Sequence, residues 1–129
     1  MITGTGVDIV HVPRIKKLMD EHGERFLEKI LTPEEIKAMP QANKDLYTAG
    51  RFAAKESLVK ASGKTFSFSS VSVMNEASGR PYFTGAYIEE FTGRVKVHLS
   101  ISHDTDYAAA FVVIESLQDF SPGHPPHPK

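Results

Sequence analysis

Asp8, Glu56 and Lys60 are ionisable residues in segments whose pattern predicts burial. Asp8 lies in a β-branched segment near the start of the chain, and aspartate is disfavoured inside strands. Glu56 and Lys60 fall within the apolar arc of a predicted helix, where a charge is costly unless it has a partner. Two inward carboxylates, Asp8 and Glu56, could share Mg²⁺, which proteins hold by one or two carboxylates plus substrate phosphates.

Each of these residues also has a structural interpretation, which the sequence leaves open. Asp8 could be a strand-end aspartate that caps a nearby backbone group. Glu56 and Lys60 lie four residues apart on one helix face and could form a mutual ion pair worth roughly a few tenths of a kcal/mol. The local pattern does not decide between such pairs and a metal site.

His103 is a third candidate, at the end of an alternating segment. It continues the apolar parity of Leu99 and Ile101, so we expect it to leave the core at the end of a strand. A single turn histidine is more often structural than functional. The run Ser102-His103-Asp104 is not a catalytic triad, because triad partners meet in space rather than as sequence neighbours.

The longest predicted helix runs over Asp45–Ala61 and ends at Gly63. On a helical wheel Glu56 lies inside the apolar arc, whereas Arg51 and Lys55 point away from it. Basic residues outnumber acidic ones on and beside this helix. That excess suits a phosphate-rich ligand, although most such runs are solvated faces.

The remaining elements follow from hydrophobic periodicity and from turn residues. They are a strand at Ile2–Val10, a helix opened by Val12-Pro13 and stopped by Gly23, a capping box at Thr32–Glu35, a β-like segment at Phe66–Met74, a short helix at Ala86–Phe91, and paired strands at Val95–Ile101 and Tyr107–Ile114. A strand, then helices, then antiparallel strands predicts a single-domain α+β fold.

The composition narrows the classes of function. The chain has 129 residues, a formal net charge of −1 and no cysteine. That charge indicates no nucleic-acid partner, and the lack of thiols excludes disulfides and cysteine nucleophiles. No window reaches the ~18 apolar residues of a membrane helix, and the start does not read as a signal peptide. We therefore predict a cytoplasmic protein with no membrane partner.

The predicted domain spans residues 1–117. Residues 118–129 are rich in proline and glycine from Ser121 onwards, and we expect them to form a disordered tail.

The candidate residues lie in three ordered motifs. These are Gly4–Val10 with Arg14-Ile15 after it, Arg51–Ala61, and Ser100–Asp104 followed by Tyr107–Ala110. In their order and spacing they resemble those of bacterial holo-acyl-carrier-protein synthases, whose long helix carries the pattern F-A-x-K-E-x-x-x-K-A. The resemblance extends from Met1 to about Ile114. Two features depart from it: a shorter loop after Gly63 with a single glycine, and the tail.

The resemblance implies a 4′-phosphopantetheinyl transferase fold, and a homotrimer with active sites between subunits. It implies transfer of 4′-phosphopantetheine from coenzyme A to a serine of apo-acyl-carrier protein, in the service of fatty acid biosynthesis. Magnesium would be bound by Asp8, by Glu56 and by the pyrophosphate of coenzyme A. Glu56, or water on the metal, would take the serine proton. Lys60 would stabilise the charge that builds on the phosphate oxygens.

The resemblance also assigns the coenzyme and carrier contacts. Asp8, Lys60 and His103 would contact the coenzyme, and Gly63 would lie in its phosphate loop. Arg80 and Pro81 resemble the family's turn at the edge of the nucleotide. The remaining pair, Arg14 and Lys17, resembles the basic helix that meets the acidic carrier.

Two other functions fit the same charged residues. A non-enzymatic trimeric binding module would carry them as structural pairs, and a nucleotide hydrolase would consume coenzyme A without a carrier. A variant of the main hypothesis assigns the enzyme to polyketide or peptide carriers. Neither the binding module nor the hydrolase accounts for three ordered motifs.

Overall fold

A computed structural model describes residues 1–90 and 93–117. Within these residues it contains a three-stranded antiparallel sheet, ordered β1–β5–β4, and a separate antiparallel hairpin, β2–β3. The strands are β1 Ile2–His11, β2 Ser72–Asn75, β3 Pro81–Thr84, β4 Val95–His103 and β5 Tyr107–Ser116. The helices are α1 Val12–His22, α2 Glu24–Ile30, α3 Pro33–Ala38, α4 Lys44–Ser62 and α5 Ala86–Glu89. The predicted α+β fold is confirmed; the predicted tail lies outside the described residues.

Two glycines let β1 lie directly against α4. A Cβ atom at Gly4 would stand 2.0 Å from the carbonyl oxygen of Ala61, and one at Gly6 would stand 2.0 Å from that of Ser57. Any side chain at either position would therefore push the strand off the helix. Because alternate strand residues share a face, Asp8 continues this line along α4.

The far end of α4 is fixed by backbone geometry. Gly63 adopts φ +70°, a left-handed conformation that favours glycine, and its N–H donates to the carbonyl of Val59 at 2.9 Å. This confirms the predicted helix end. Gly63 is exposed and lies three residues beyond Lys60.

Most of the predicted elements are present, with ends shifted by one or two residues, while the predicted end of the short helix, Phe91, lies outside the described residues. The capping box of Thr32 and Glu35 is confirmed, as is the antiparallel pairing of the last two strands. The β-like prediction over Phe66–Met74 is wrong for its first half, where Phe68–Ser70 forms a 3₁₀ turn. The Phe68 carbonyl accepts a hydrogen bond from the amine of Lys55 at 2.8 Å, which removes it from any strand ladder.

Lys55 is the clearest departure from the sequence-based prediction. It points away from the apolar arc as predicted, yet its side chain is fully buried. The reason is tertiary: α2, α3 and the 3₁₀ turn cover this side of α4, and Lys55 is paired there with Glu35.

None of the described helices is long and apolar enough to cross a membrane.

Candidate active site

Lys60 and Asp8 meet between α4 and β1. The Lys60 ammonium donates to Oδ1 of Asp8 and to the carbonyl oxygen of Val7, each at 3.0 Å. The Asp8 side chain is 18% exposed and that of Lys60 is 53% exposed. The strand-end cap is therefore the wrong interpretation of Asp8, which lies inside β1. The alternative of a mutual Glu56–Lys60 ion pair is wrong too, since Lys60 pairs with Asp8 instead.

Glu56 lies one helical turn before Lys60 and is half-buried. Asp8 and Glu56 are carboxylates that offer only acceptor oxygens when ionised. In residues 1–90 and 93–117 no three His, Asp or Glu side chains gather as a possible metal cage. Two carboxylates beside an open surface fit Mg²⁺, which takes its remaining ligands from water and phosphate.

His103 lies in a different place, at the N-terminal half of α4. It is the last residue of β4, exposed as predicted, and it lines a groove of about 450 Å³ together with Tyr47, Gly50 and Arg51. The Arg51 guanidinium stands 3.9 Å from the centre of the Tyr47 ring. An arginine and an imidazole on one groove can bind an anion, so Arg51 is a candidate that its place off the apolar arc did not reveal.

The sheet separates His103 from the Asp8–Lys60 pair within one chain. Asp8 lies opposite Ala110 in β5, and Ala110 lies opposite Ile101 in β4. Two strand spacings amount to about 10 Å, and His103 lies two residues further along β4. The structure therefore does not bring the candidate residues together around one centre in a single subunit.

Arg80 and Pro81 lie at the turn of the β2–β3 hairpin, near the His103 groove. Arg80 is exposed, and Pro81 pairs with Asn75 at the start of β3. Asn75 accepts a hydrogen bond from Arg51 at 2.6 Å, which joins the hairpin to α4. Arg51 is nine residues before Lys60, about 13 Å along the helix axis.

Arg14 and Lys17 lie on the exposed face of α1, as predicted, while Ile15 is buried. Lys17 approaches Glu21 at 3.8 Å and stays 75% exposed. A small hollow of about 270 Å³ follows on α2, lined by His22, Arg25, Phe26 and Lys29. Arg25 and Lys29 are four residues apart, a spacing that puts both on one face of the helix.

Comparisons with known proteins identify the family of this chain. The family model of the 4′-phosphopantetheinyl transferase superfamily matches residues 4–112. The holo-[acyl-carrier-protein] synthase of Maridesulfovibrio salexigens is 46% identical over 123 residues, covering 89% of this chain and 99% of that protein. The protein of the same name from Geobacillus kaustophilus is 40% identical, and the match covers 98% of this chain and 99% of that protein.

Solved structures are similar over the same length. The crystal structure of holo-[acyl-carrier-protein] synthase from Neisseria meningitidis gives a TM-score of 0.81 at 40% identity, covering 90% of this chain and 100% of that one. The holo-(acyl-carrier-protein) synthase from Bacillus anthracis, in complex with CoA (3′,5′-ADP), gives a TM-score of 0.76 at 38% identity. The match covers 90% of this chain and 98% of that one.

Proposed function

This chain belongs to the holo-[acyl-carrier-protein] synthase family of 4′-phosphopantetheinyl transferases, and we propose that Asp8, Glu56 and Lys60 form its catalytic centre. The reaction transfers the 4′-phosphopantetheine group of coenzyme A to a serine of apo-acyl-carrier protein and releases adenosine 3′,5′-bisphosphate. The observation that carries the residue assignment is the contact between Lys60 and Asp8, which come from two separate motifs.

Asp8 and Glu56 are the residues that would hold magnesium, together with the pyrophosphate of coenzyme A. The ion would neutralise phosphate charge when bound. Asp8 is already held in place by the Lys60 ammonium, so it is preorganised for binding. Glu56, on the same helix as Lys60, is proposed to serve also as a proton acceptor.

The chemical step is displacement at phosphorus. The carrier serine oxygen forms a bond to the β-phosphorus of coenzyme A, and the bond from that phosphorus to the bridging oxygen breaks. Glu56 is the proposed acceptor of the serine proton. Lys60 uses two of its three N–H donors on Asp8 and Val7. The third can donate to the oxygens on which charge builds, as phosphoryl transfer requires.

We propose a homotrimer in which His103 of one subunit completes the site of another. The separation of His103 from Asp8 in one chain supports this arrangement. A second support is an exposed apolar strip on the sheet face opposite α4. There Val7 and Ile9 of β1 are 61% and 66% exposed, and Phe111 lies opposite Val7 on β5. Apolar patches of this kind mark interfaces between proteins.

The carrier is proposed to dock on α1, at Arg14 and Lys17. Both are exposed cations on the helix that follows β1, the strand that carries Asp8. Acyl carrier proteins are acidic, so these residues would steer the encounter. We place the reaction in the cytoplasm, where it would supply holo-carrier for fatty acid biosynthesis.

Mass spectrometry of an apo-carrier incubated with the protein, coenzyme A and magnesium tests the proposal. A gain of one phosphopantetheine that is lost with a chelator supports the reaction and its metal dependence. Consumption of coenzyme A without a carrier would indicate the hydrolase, and binding of coenzyme A without transfer would indicate the binding module.

A further inference from the structure

A second lysine of α4 is the centre of a buried polar network. Lys55 donates to Oε1 of Glu35 at 2.5 Å, and both side chains are fully buried. Its other two bonds go to the carbonyl oxygens of Ile30, at 2.7 Å, and of Phe68, at 2.8 Å. All three donors of the ammonium are thus used. Such a satisfied network in a low-dielectric interior is rigid.

Glu35 carries the network on to the β2–β3 hairpin. Its Oε1 also accepts from the backbone N–H of Thr32 at 2.9 Å, which completes the α3 capping box. Its Oε2 accepts from the N–H of Val73 in β2 at 2.8 Å. The carboxylate therefore binds one edge of the hairpin and the side chain of α4 at the same time.

The hairpin is joined to α4 at two points whose spacings match. Arg51 bonds to Asn75, and Lys55 reaches Val73 through Glu35. The two helix positions are four residues apart, about 6 Å, and the two strand positions are two residues apart, about 6.6 Å. These matched ties fix the direction of β2 along α4, so rotation about either tie alone is prevented.

We propose that the Lys55–Glu35 pair is a positioning element that sets the β2–β3 hairpin relative to α4. The hairpin turn carries Arg80, and the N-terminal half of α4 carries Arg51, which lines one groove with His103. The pair thereby sets Arg80 relative to Arg51 and His103, the surface proposed for the nucleotide end of coenzyme A. This inference rests on the proposed function, since it assigns that surface to coenzyme A.

The test is the double variant Glu35→Gln/Lys55→Met, which removes both buried charges together and so leaves neither one unpaired. A matched control is Lys16→Met/Asp20→Asn, which removes an exposed ion pair of 3.2 Å on α1. Glu35→Asp is a milder variant, which keeps both charges and shortens the carboxylate side chain by one methylene, should the double variant fail to fold.

Kinetics should show a change in coenzyme binding rather than in chemistry. We expect the KM for coenzyme A to rise about tenfold in the double variant with kcat within about threefold, because binding at a remote point is weakened in ground and transition states alike. The milder variant should change KM in the same direction. The control pair should leave both constants unchanged. Amide hydrogen exchange should accelerate at Val73 and at other hairpin amides but not along β1 and β5.

The outcomes separate this inference from the proposed function. Wild-type transfer with an unchanged KM in folded variants, despite faster exchange in the hairpin, would make the pair merely structural and overturn the inference. An equal loss of kcat and of kcat/KM would overturn it as well. Failure of the wild type to modify the carrier would instead remove the proposed function.

Discussion

Two lysines on α4, five residues apart, form ion pairs with carboxylates from elsewhere in the chain, and the two surroundings differ in almost every respect. Lys55 and Glu35 are fully buried, and the Lys55 ammonium has all its donors satisfied. Lys60 and Asp8 lie at the surface, and more than half of the Lys60 side chain is exposed. Burial lowers the pKa of Lys55, while the Glu35 carboxylate opposes that shift by raising it.

The difference in burial indicates which of the two pairs can take part in a reaction. The Lys55–Glu35 pair, called the closed pair below, has no donor left for a ligand and no exposure to solvent. It can therefore stabilise the fold and position other groups but cannot react. In the open pair, Lys60–Asp8, the ammonium is exposed to solvent and keeps one N–H donor for a phosphate oxygen. The same two functional groups therefore have a structural role in the buried pair and, in the proposed function, a catalytic role in the exposed one.

Breaking the closed pair should have the largest effect on stability. Lys55→Met leaves the Glu35 carboxylate buried without its cation, and such changes cost about 3–5 kcal/mol. That is a large part of the roughly 5–15 kcal/mol that holds a domain folded. Urea unfolding followed by circular dichroism measures it. A loss below about 1 kcal/mol would mean that Lys55 is not buried as described.

Breaking the open pair should have a large effect on turnover and a small one on stability. Lys60→Met removes the proposed donor to the reacting phosphate, and we expect kcat to fall about 100-fold or more. The free energy of unfolding should change by less than about 1 kcal/mol, as for other exposed pairs. Parallel kinetics and urea unfolding check both halves. Lys60→Met with full activity would remove Lys60 from the catalytic centre.

Reversing a docking charge should have a moderate effect, confined to the carrier. Arg14→Glu should raise the carrier KM several-fold and leave coenzyme A binding unchanged, because rim charges mainly govern encounter. Salt should slow the wild type more than the variant, since it screens an attraction over about 8–10 Å. Lys16→Glu, an equal charge change on the same helix, is the matched control. Unchanged carrier kinetics in Arg14→Glu would place docking elsewhere.

The smallest effect should come from Asp104, in the turn between β4 and β5. Hydrogen bonds from the backbone N–H groups of Tyr107 and Asp106 hold the pKa of this exposed carboxyl below its usual value. A depressed folded-state pKa stabilises above the unfolded pKa of about 3.9, and the benefit is lost as pH falls through the folded value.

Thermal melting across pH tests this. The Tm difference between wild type and Asp104→Ala should be constant near neutral pH and shrink below about pH 4. Asp106→Ala is the matched control, because it leaves both hydrogen bonds to the Asp104 carboxylate in place. A difference that does not vary with pH would show that the ionised carboxylate contributes nothing.

The sequence predicted the parts of this molecule that depend on local pattern. Apolar spacing located α4, the left-handed glycine ended it, and alternation located β4 and β5. Asp8 and Lys60 stood out because their charges interrupt apolar patterns. Motif order then gave the family, which the comparisons confirmed.

The parts that the sequence could not predict depend on tertiary partners. Helical periodicity identifies no partner for Lys55. No local pattern indicates that Glu35, twenty residues earlier in the chain, forms an ion pair with it. The capping box predicted one role for Glu35, and its bonds to β2 and α4 came only from the fold. The distance between His103 and Asp8 is likewise set by strand order, which three motifs in sequence do not encode.

Transfer measured on folded carboxylate variants tests the central claim most directly. The experiment compares wild type, Asp8→Ala and Glu56→Ala for holo-carrier formed from coenzyme A in magnesium, with circular dichroism to establish that each variant is folded. We predict that both variants lose transfer while their secondary structure is retained. A folded Glu56→Ala protein that modifies the carrier at nearly the wild-type rate would contradict the proposed catalytic centre.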